Sequence, residues 1–453
     1  MSLSVNIRGS RVAAGLGALL VVVVAVITLL SARPPSPMPA SGPVGEFSAQ
    51  RALGHLQEFA TEPRPLGSAA SDRARDYLAD ELRSAGFSVQ INHAIGGSTA
   101  EGVASFGRVD NIVATLPGRD PTGSVVLVAH YDSVAAGPGA SDDGAAIAAM
   151  LETARALRAG DQLRNDLALL MTDGEELGLL GAAAFVRQHP LTATCAVVGN
   201  CVFLNWEARG VSGPSLMFET SQNNAALVEL FAAAAPYPNG DSSMVEFYRL
   251  LPNDTDFTEF AGAGLAGMNF AYIQGAARYH TPGDTIANLD QASLQHHGAN
   301  MLGLTRALGS IDLATLAADD DAVYFRVPGS VISYPMALAG PLAVLSVLTL
   351  AALVALARRR RLLSLPRLCT PSPRSCSRWP PPCCLLRACG GCFEHCGPAT
   401  PTTRSSTDHC CTRWPSPRWP RWRCWVGTCR GAAQSARRRW PAEDWSGWRC
   451  SAC

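Results

Sequence analysis

Lysine is absent from all 453 residues, so every one of the 37 basic side chains is arginine. With the richness in alanine, glycine and proline, this absence reads as the coding bias of a GC-rich bacterial gene and not as chemistry. Basic charge is also scarce where a globular domain would lie. Residues 34–330 hold 33 Asp and Glu against 16 Arg, a net of −17, whereas residues 331–453 hold 18 Arg against 4 acids, a net of +14. The overall net charge of zero is therefore an average over two unlike halves. A phosphate backbone needs a clustered basic face, and the acidic half has none, which argues against nucleic acid as its partner. Cysteine is nearly missing from the same half: 13 of the 15 lie beyond residue 368, leaving Cys195 and Cys201, which enclose five residues and are candidates for one small bridge.

What is present begins with long apolar runs. Residues 12–32 carry no charge over 21 positions, enough to cross the hydrocarbon core of a bilayer as a helix. A cleavable signal has a shorter apolar core, so an uncleaved anchor is expected. Arg8 and Arg11 precede it and keep the N-terminus in the cytoplasm, sending the next domain outward. A second run, residues 331–357, closes on Arg358, Arg359, Arg360 and Arg361 and reads as a return span, against the alternative of a buried core helix. The chain then divides into a cytoplasmic N-terminus 1–11, an anchor 12–32, a stiff Pro-rich linker 33–45, a soluble domain 46–310, a linker 311–330, a second span 331–357 and a basic tail 358–453. The expected location is a bacterial inner membrane, with the soluble domain on its outer side.

The tail differs in kind. It holds 8 of the 9 tryptophans, among Pro, Arg and Ser with no period of a helix or strand. CGGCFEHC, with Cys389, Cys392, His395 and Cys396, has the flavour of a zinc site but no paired cluster elsewhere. In a GC-rich gene the leucine codon CTG read one base along gives cysteine, and CTG followed by G gives tryptophan. From about residue 362 the chain is therefore expected to be a frame-shifted reading of Leu/Ala-rich membrane helices.

Between residues 46 and 308 helical and strand patterns alternate, as expected of an α/β domain with a mixed, largely parallel central sheet flanked by helices. Residues 71–86 and 144–160 have helical spacing and end on glycine. Residues 124–130, 166–173 and 201–208 are short apolar runs that read as buried strands, with a further helix over 179–189. His130, the Glu175-Glu176 pair and Glu207 all fall at or just past strand ends, where open α/β sheets place their sites.

Two histidines and three carboxylates, with one spare glutamate, are the donors that a pair of bridged zinc ions and a catalytic base require. Singly, the residues are ambiguous. His130 has Asp132 two residues on, placed to accept its second ring N–H, but is also an ordinary loop histidine. Asp142 and Asp143 also suit a helix cap, and His280 lies in a turn-rich loop. Glu175 and Glu176 are harder to dismiss, because adjacent carboxylates ending an apolar strand repel unless a cation sits between them.

The segments RPLGSAASDRARDYL, VLVAHYDSV, GASDDGAAIAAMLE, TDGEELGLLGA, FLNWEARGVSGPSLMFET and YHTPGDT, taken in order over residues 45–308, resemble the family 28 metallopeptidases. The likeness is greatest to the membrane-embedded subgroup, similar to endoplasmic-reticulum and vacuolar membrane proteases. It implies two zinc ions, with His130 and Glu207 completing one site, Glu176 and His280 the other, and Asp142 bridging both. It further implies Glu175 as general base for a shared water that attacks a peptide carbonyl, and a cis peptide between Asp142 and Asp143. Many soluble members carry Asp where Glu207 stands, whereas the membrane subgroup resembles this chain in using Glu. Asp132, Asp143 and Asp284 are expected to support the ligands. Asp256 and Tyr279 are expected at the substrate pocket, and Met217, Phe218, Tyr248 and Phe270 are candidates to shape it. The expected partners are a peptide substrate and the lipid bilayer, and the expected activity is that of an aminopeptidase. A carboxypeptidase or glutaminyl cyclase on the same fold, and a non-catalytic receptor-like ectodomain, are the alternatives.

Overall fold

The apolar runs at residues 124–130, 166–172 and 201–208 become strands buried on both faces, which is why they lack the alternation of a half-exposed strand. The computed structural model describes residues 7–31, 33–99 and 104–360. The basic tail, with its expected frame shift and its CGGCFEHC cluster, lies outside the described residues apart from the first positions up to 360.

In chain order the elements are α1 (Ile7–Ser31), α2 (Ala49–Phe59), α3 (Ala69–Ser84), β1 (Ser88–Ser98), β2 (Ser105–Leu116), β3 (Ser124–His130) and α4 (Gly144–Arg158). There follow β4 (Asp166–Thr172), α5 (Leu180–Gln188), α6 (Pro190–Val198), β5 (Cys201–Ala208), β6 (Leu216–Thr220), α7 (Ala225–Ala234), α8 (Ser242–Tyr248) and α9 (Asp256–Gly262). The described chain ends with β7 (Ala266–Tyr272), α10 (Gln291–Ser310), β8 (Ala322–Val327), β9 (Ser330–Pro335) and α11 (Ala339–Arg359).

Seven strands form one sheet in the order β1-β2-β4-β3-β5-β7-β6. Its centre, β4-β3-β5-β7, is parallel, and β1, β2 and β6 run antiparallel at the flanks. Register pairs His130 with Thr172 and Glu207 with Ala271, so the C-terminal ends of the central strands share one edge. Alternate residues of β3 feed two cores: Val125, Leu127 and Ala129 pack with α2, α4 and α10, while Val126 and Val128 pack with Phe185 of α5 and Phe260 of α9. Helix starts follow the capping chemistry of the sequence. Ser48 accepts from the Arg51 N–H ahead of α2, and Ser68 accepts from the Ser71 N–H ahead of α3.

Cys195 and Cys201 are bonded, with Sγ–Sγ 2.10 Å, tying α6 to the start of β5. The Pro-rich segment after α1 is exposed along much of its length, yet it is tied to the domain rather than free. The Met38 N–H donates to Gln295 Oε1 at 2.9 Å, and Arg51 Nη1 donates to the Ala40 carbonyl at 2.8 Å.

The second apolar run departs from expectation. Residues 331–335 are not helical: β9 pairs with β8 across a turn at Gly329, whose φ of +81° favours glycine, and Val331 is buried. The linker expected over 311–330 accordingly contains β8. Apolarity alone does not separate a strand from the start of a helix. Among the described residues, the helix that is long and apolar enough to cross a membrane is Met336–Arg359, 24 residues with mean hydropathy 2.3 and none of it buried. The apolar part of α1, Gly15–Ser31, is shorter.

Candidate metal centre

Each donor owes its place to the edge of the sheet. His130 ends β3, Glu207 lies one residue from the end of β5, and Asp142 occupies the loop that opens α4. Glu175 and Glu176 begin a 3-10 turn directly after β4, where Gly174 at φ +74° turns the chain, and His280, at φ +55°, lies in the loop that follows β7. Two groups of donors converge, His130 with Asp142 and Glu207, and Asp142 with Glu176 and His280, the ligand atoms of each lying within 4.8 Å of one another. Asp142 belongs to both. Its Oδ1 is 3.4 Å from His130 Nε2, and its Oδ2 is 3.1 Å from His280 Nε2. Glu176 Oε2 is 2.9 Å from His280 Nε2, and Glu207 Oε2 is 3.7 Å from His130 Nε2. Glu175 Oε2 approaches His130 Nε2 at 3.9 Å without joining either triad. The Asp142–Asp143 peptide is cis.

Neutral donors anchor one oxygen each of Glu207 and Glu176 and leave the other facing inward. Asn205 Nδ2 donates to Glu207 Oε1 at 3.1 Å, and the Val134 N–H donates to Glu176 Oε1 at 3.2 Å. Asp132 accepts from the Glu175 and Glu176 N–H groups at 3.1 and 3.3 Å, and its Oδ1 lies 3.4 Å from His130 Nδ1. It therefore fixes both the turn and the imidazole, leaving Nε2 for the site. Asp284 accepts from the Ser141 and Asp142 N–H groups at 2.8 and 3.0 Å and so holds the backbone of the residue whose carboxylate is common to both donor groups. Asp143 is fully buried, and neither of its oxygens has a hydrogen-bond partner of normal geometry.

The electrostatics are lopsided. Burial, reinforced by Asp142 and Asp256 and opposed by His130, pushes the Glu207 carboxyl up to about 8. Burial likewise raises Glu175, Glu176 and Asp143, with neighbouring carboxylates adding to it. Burial pulls the His130 imidazole down, but Glu175, Asp132 and Asp142 outweigh it and hold the ring well above its usual range. At His280 the same contest, won by Asp142 and Glu176, ends at about 9. So many buried carboxyls around two rings have the charge balance of a site built for cations. The chemistry and geometry of the donors fit a pair of divalent ions sharing Asp142.

One buried cation is the chain's own. Arg64 is fully buried and donates to the carbonyls of Tyr131, Pro138 and Gly139, with its charge facing Asp132, Asp284, Asp142 and Asp143. It clamps the loop that delivers the shared ligand. Sequence reasoning gave it no role, and its only signal was its place in the RPLGS motif.

A cavity of about 540 Å³ opens beside the triads, reaching Asp142, Glu175 and Glu207. Its wall is largely apolar: Phe218, Met244, Phe247, Tyr248, Leu251 and Ile273. Tyr279 lines it, stacked on His280 with ring centroids 3.7 Å apart. Asp256 does not line it. As the first residue of α9 it is fully buried, hydrogen-bonded by Thr172 Oγ1 at the end of β4. Met217 and Phe270 also lie in the core, because their positions on β6 and β7 point inward, and Phe270 stacks on Trp206. Met244, Phe247 and Leu251 were not legible as pocket residues, since α8 is too short to show a face.

Residues 111–305 match Peptidase family M28. Endoplasmic reticulum metallopeptidase 1 of Mus musculus is 32% identical over 320 residues, covering 65% of this chain and 35% of the relative. The vacuolar membrane protease of Candida dubliniensis is 30% identical over 290 residues, covering 62% and 30%. The chain thus spans about a third of the length of the curated relatives it matches. Among solved structures, a zinc aminopeptidase from Bacillus subtilis is 15% identical with a TM-score of 0.45, covering 60% of this chain and 98% of that one. Ordered motifs and converging donors agree with this match, and the segment 111–305 is similar to peptidase family M28.

Proposed function

We propose that the protein is a zinc-dependent exopeptidase, an aminopeptidase, acting through two zinc ions held by His130, Asp142 and Glu207 and by Asp142, Glu176 and His280. The observation that carries this reading is Asp142, which turns one carboxylate oxygen toward each triad. Zinc bound there would acidify a shared water and polarise the scissile carbonyl. Glu175 sits beside the triads without completing either, and burial raises its proton affinity. It is therefore suited to take a proton from water and return it to the leaving amine. The apolar cavity beside it would receive the N-terminal side chain, with Tyr279 and Phe218 on its walls. Two complete triads favour this over a cyclase that needs a single ion.

Glu175→Gln should retain bound zinc, measured by elemental analysis, yet lose about two to four decades in turnover of amino-acid amides. Near-wild-type turnover in that variant would remove Glu175 from the role. Equal turnover of free-amine and N-blocked peptides would sink the aminopeptidase assignment and leave the family standing. With Arg8 and Arg11 before one apolar helix and Arg358 to Arg361 after the other, we further propose that the catalytic domain faces the extracytoplasmic side of a bacterial inner membrane.

A further inference from the structure

The hairpin β8–β9 is largely apolar on its outer face as well as its inner one. Its inner face packs on the domain through Ala322, Tyr324 and Val331, all buried. Its outer face carries Val323, Phe325 and Val327 on one strand and Ser330, Ile332 and Tyr334 on the other, with Phe325 opposite Ile332, Val323 opposite Tyr334 and Val327 opposite Ser330. There is no charge on that face. Phe325 is 39% exposed and Ile332 47% exposed, where a two-stranded sheet on the surface of a water-soluble domain would present polar side chains.

We infer that this outer face lies in the headgroup layer of the bilayer and seats the catalytic domain on the membrane surface. Continuity identifies the occupant. Pro335 runs without a break into Met336–Arg359, the apolar helix, and Met336 and Leu338 at its start are exposed as well. On the other strand Arg326 donates to the carbonyl of Ser31, the last residue of α1. Both apolar helices therefore meet the domain at this hairpin. An uncharged face bearing Phe, Ile and Tyr at that depth has the composition of a membrane–water interface.

The seat is linked to the site. The Tyr324 N–H donates to Ser242 Oγ at 2.8 Å, and Ser242 opens α8, whose Met244, Phe247 and Tyr248 wall the cavity. The hairpin thus fixes the helix that shapes the pocket relative to the lipid.

The inference rests on the reading that Met336–Arg359 crosses the membrane, and one experiment separates the two. The full chain is placed in nanodiscs of phosphatidylcholine and phosphatidylglycerol containing a phospholipid with a diazirine near its glycerol, irradiated, and mapped by peptide mass spectrometry. Lipid adducts are expected on peptides spanning 322–335 as well as on 336–359. Adducts confined to 336–359 overturn the seating and leave the span intact, and adducts on neither overturn both. Phe325→Asp with Ile332→Asp should lose most hairpin adducts while keeping bound zinc and turnover of a soluble amide. Unchanged adducts in that variant, with zinc retained, also overturn the seating.

Discussion

Asp142 is the single side chain on which both triads depend, so its loss should reach further than that of any other donor. Asp142→Asn should leave neither position able to retain zinc through dialysis, whereas Glu207→Ala should empty only one, both read by elemental analysis. Arg64 makes a different kind of prediction. Arg64→Met keeps much of the bulk but takes the donor from the carbonyls of Tyr131 and Pro138, leaves Gly139 with the Gly144 N–H, and removes a buried positive charge that faces Asp132, Asp284, Asp142 and Asp143. The cost should be on the order of 3–5 kcal/mol in urea unfolding, and a loss below about 1 kcal/mol would show that the clamp is not needed. The donors that converge in the structure stood out in the sequence at His130, Glu175-Glu176 and Glu207, because charged residues at the ends of apolar strands need a reason to be there. The Arg64 role was not, because a loop arginine looks solvated until the chain folds over it.

At the scale of elements, packing tolerances decide. Gly298 of α10 sits where any side chain would overlap the ring of Phe47, the residue just ahead of the Ser48 cap of α2. Gly298→Ala should therefore destabilise by about 1–3 kcal/mol through forced displacement of Phe47, and a shift in the urea midpoint measures it. Of the central strands, β3 and β5 were readable to the residue and β4 to within one, since an uninterrupted apolar run bounded by turns has few other homes, whereas β7 was not read. Helices α3 and α4 begin within two residues of the spacing-based reading, and their ends fall two residues short of the glycines that stop them. The antiparallel pieces were hidden. β1 is partly exposed on both faces and contains two glycines, so it neither alternates nor runs apolar. β9 merges in composition with the helix behind it.

For the whole molecule the buried acids predict an unusual response to pH. Glu207 is raised to about 8, chiefly by burial, Asp256 by burial to about 7, and His280 by its carboxylates, against burial, to about 9. Each group holds in the folded chain a proton that the unfolded chain has released. Stability of the metal-free protein should then fall as pH rises from about 5 to about 8, where many proteins are flat. The melting temperature of chelator-treated protein should drop by about 5 °C or more across that window, and zinc should restore it most at the upper end. A flat or rising profile would mean that the acids find partners other than metal. The hydrogen bond from Arg326 to Ser31 carries one more consequence. A domain on a single leg swivels freely and samples the bulk, whereas one whose two legs meet beneath it is held facing one way. If both apolar helices enter the bilayer as proposed, encounters become two-dimensional: turnover of a lipid-tethered peptide should follow the number of substrate molecules per area of vesicle, and diluting the vesicles in buffer should leave the rate per enzyme unchanged.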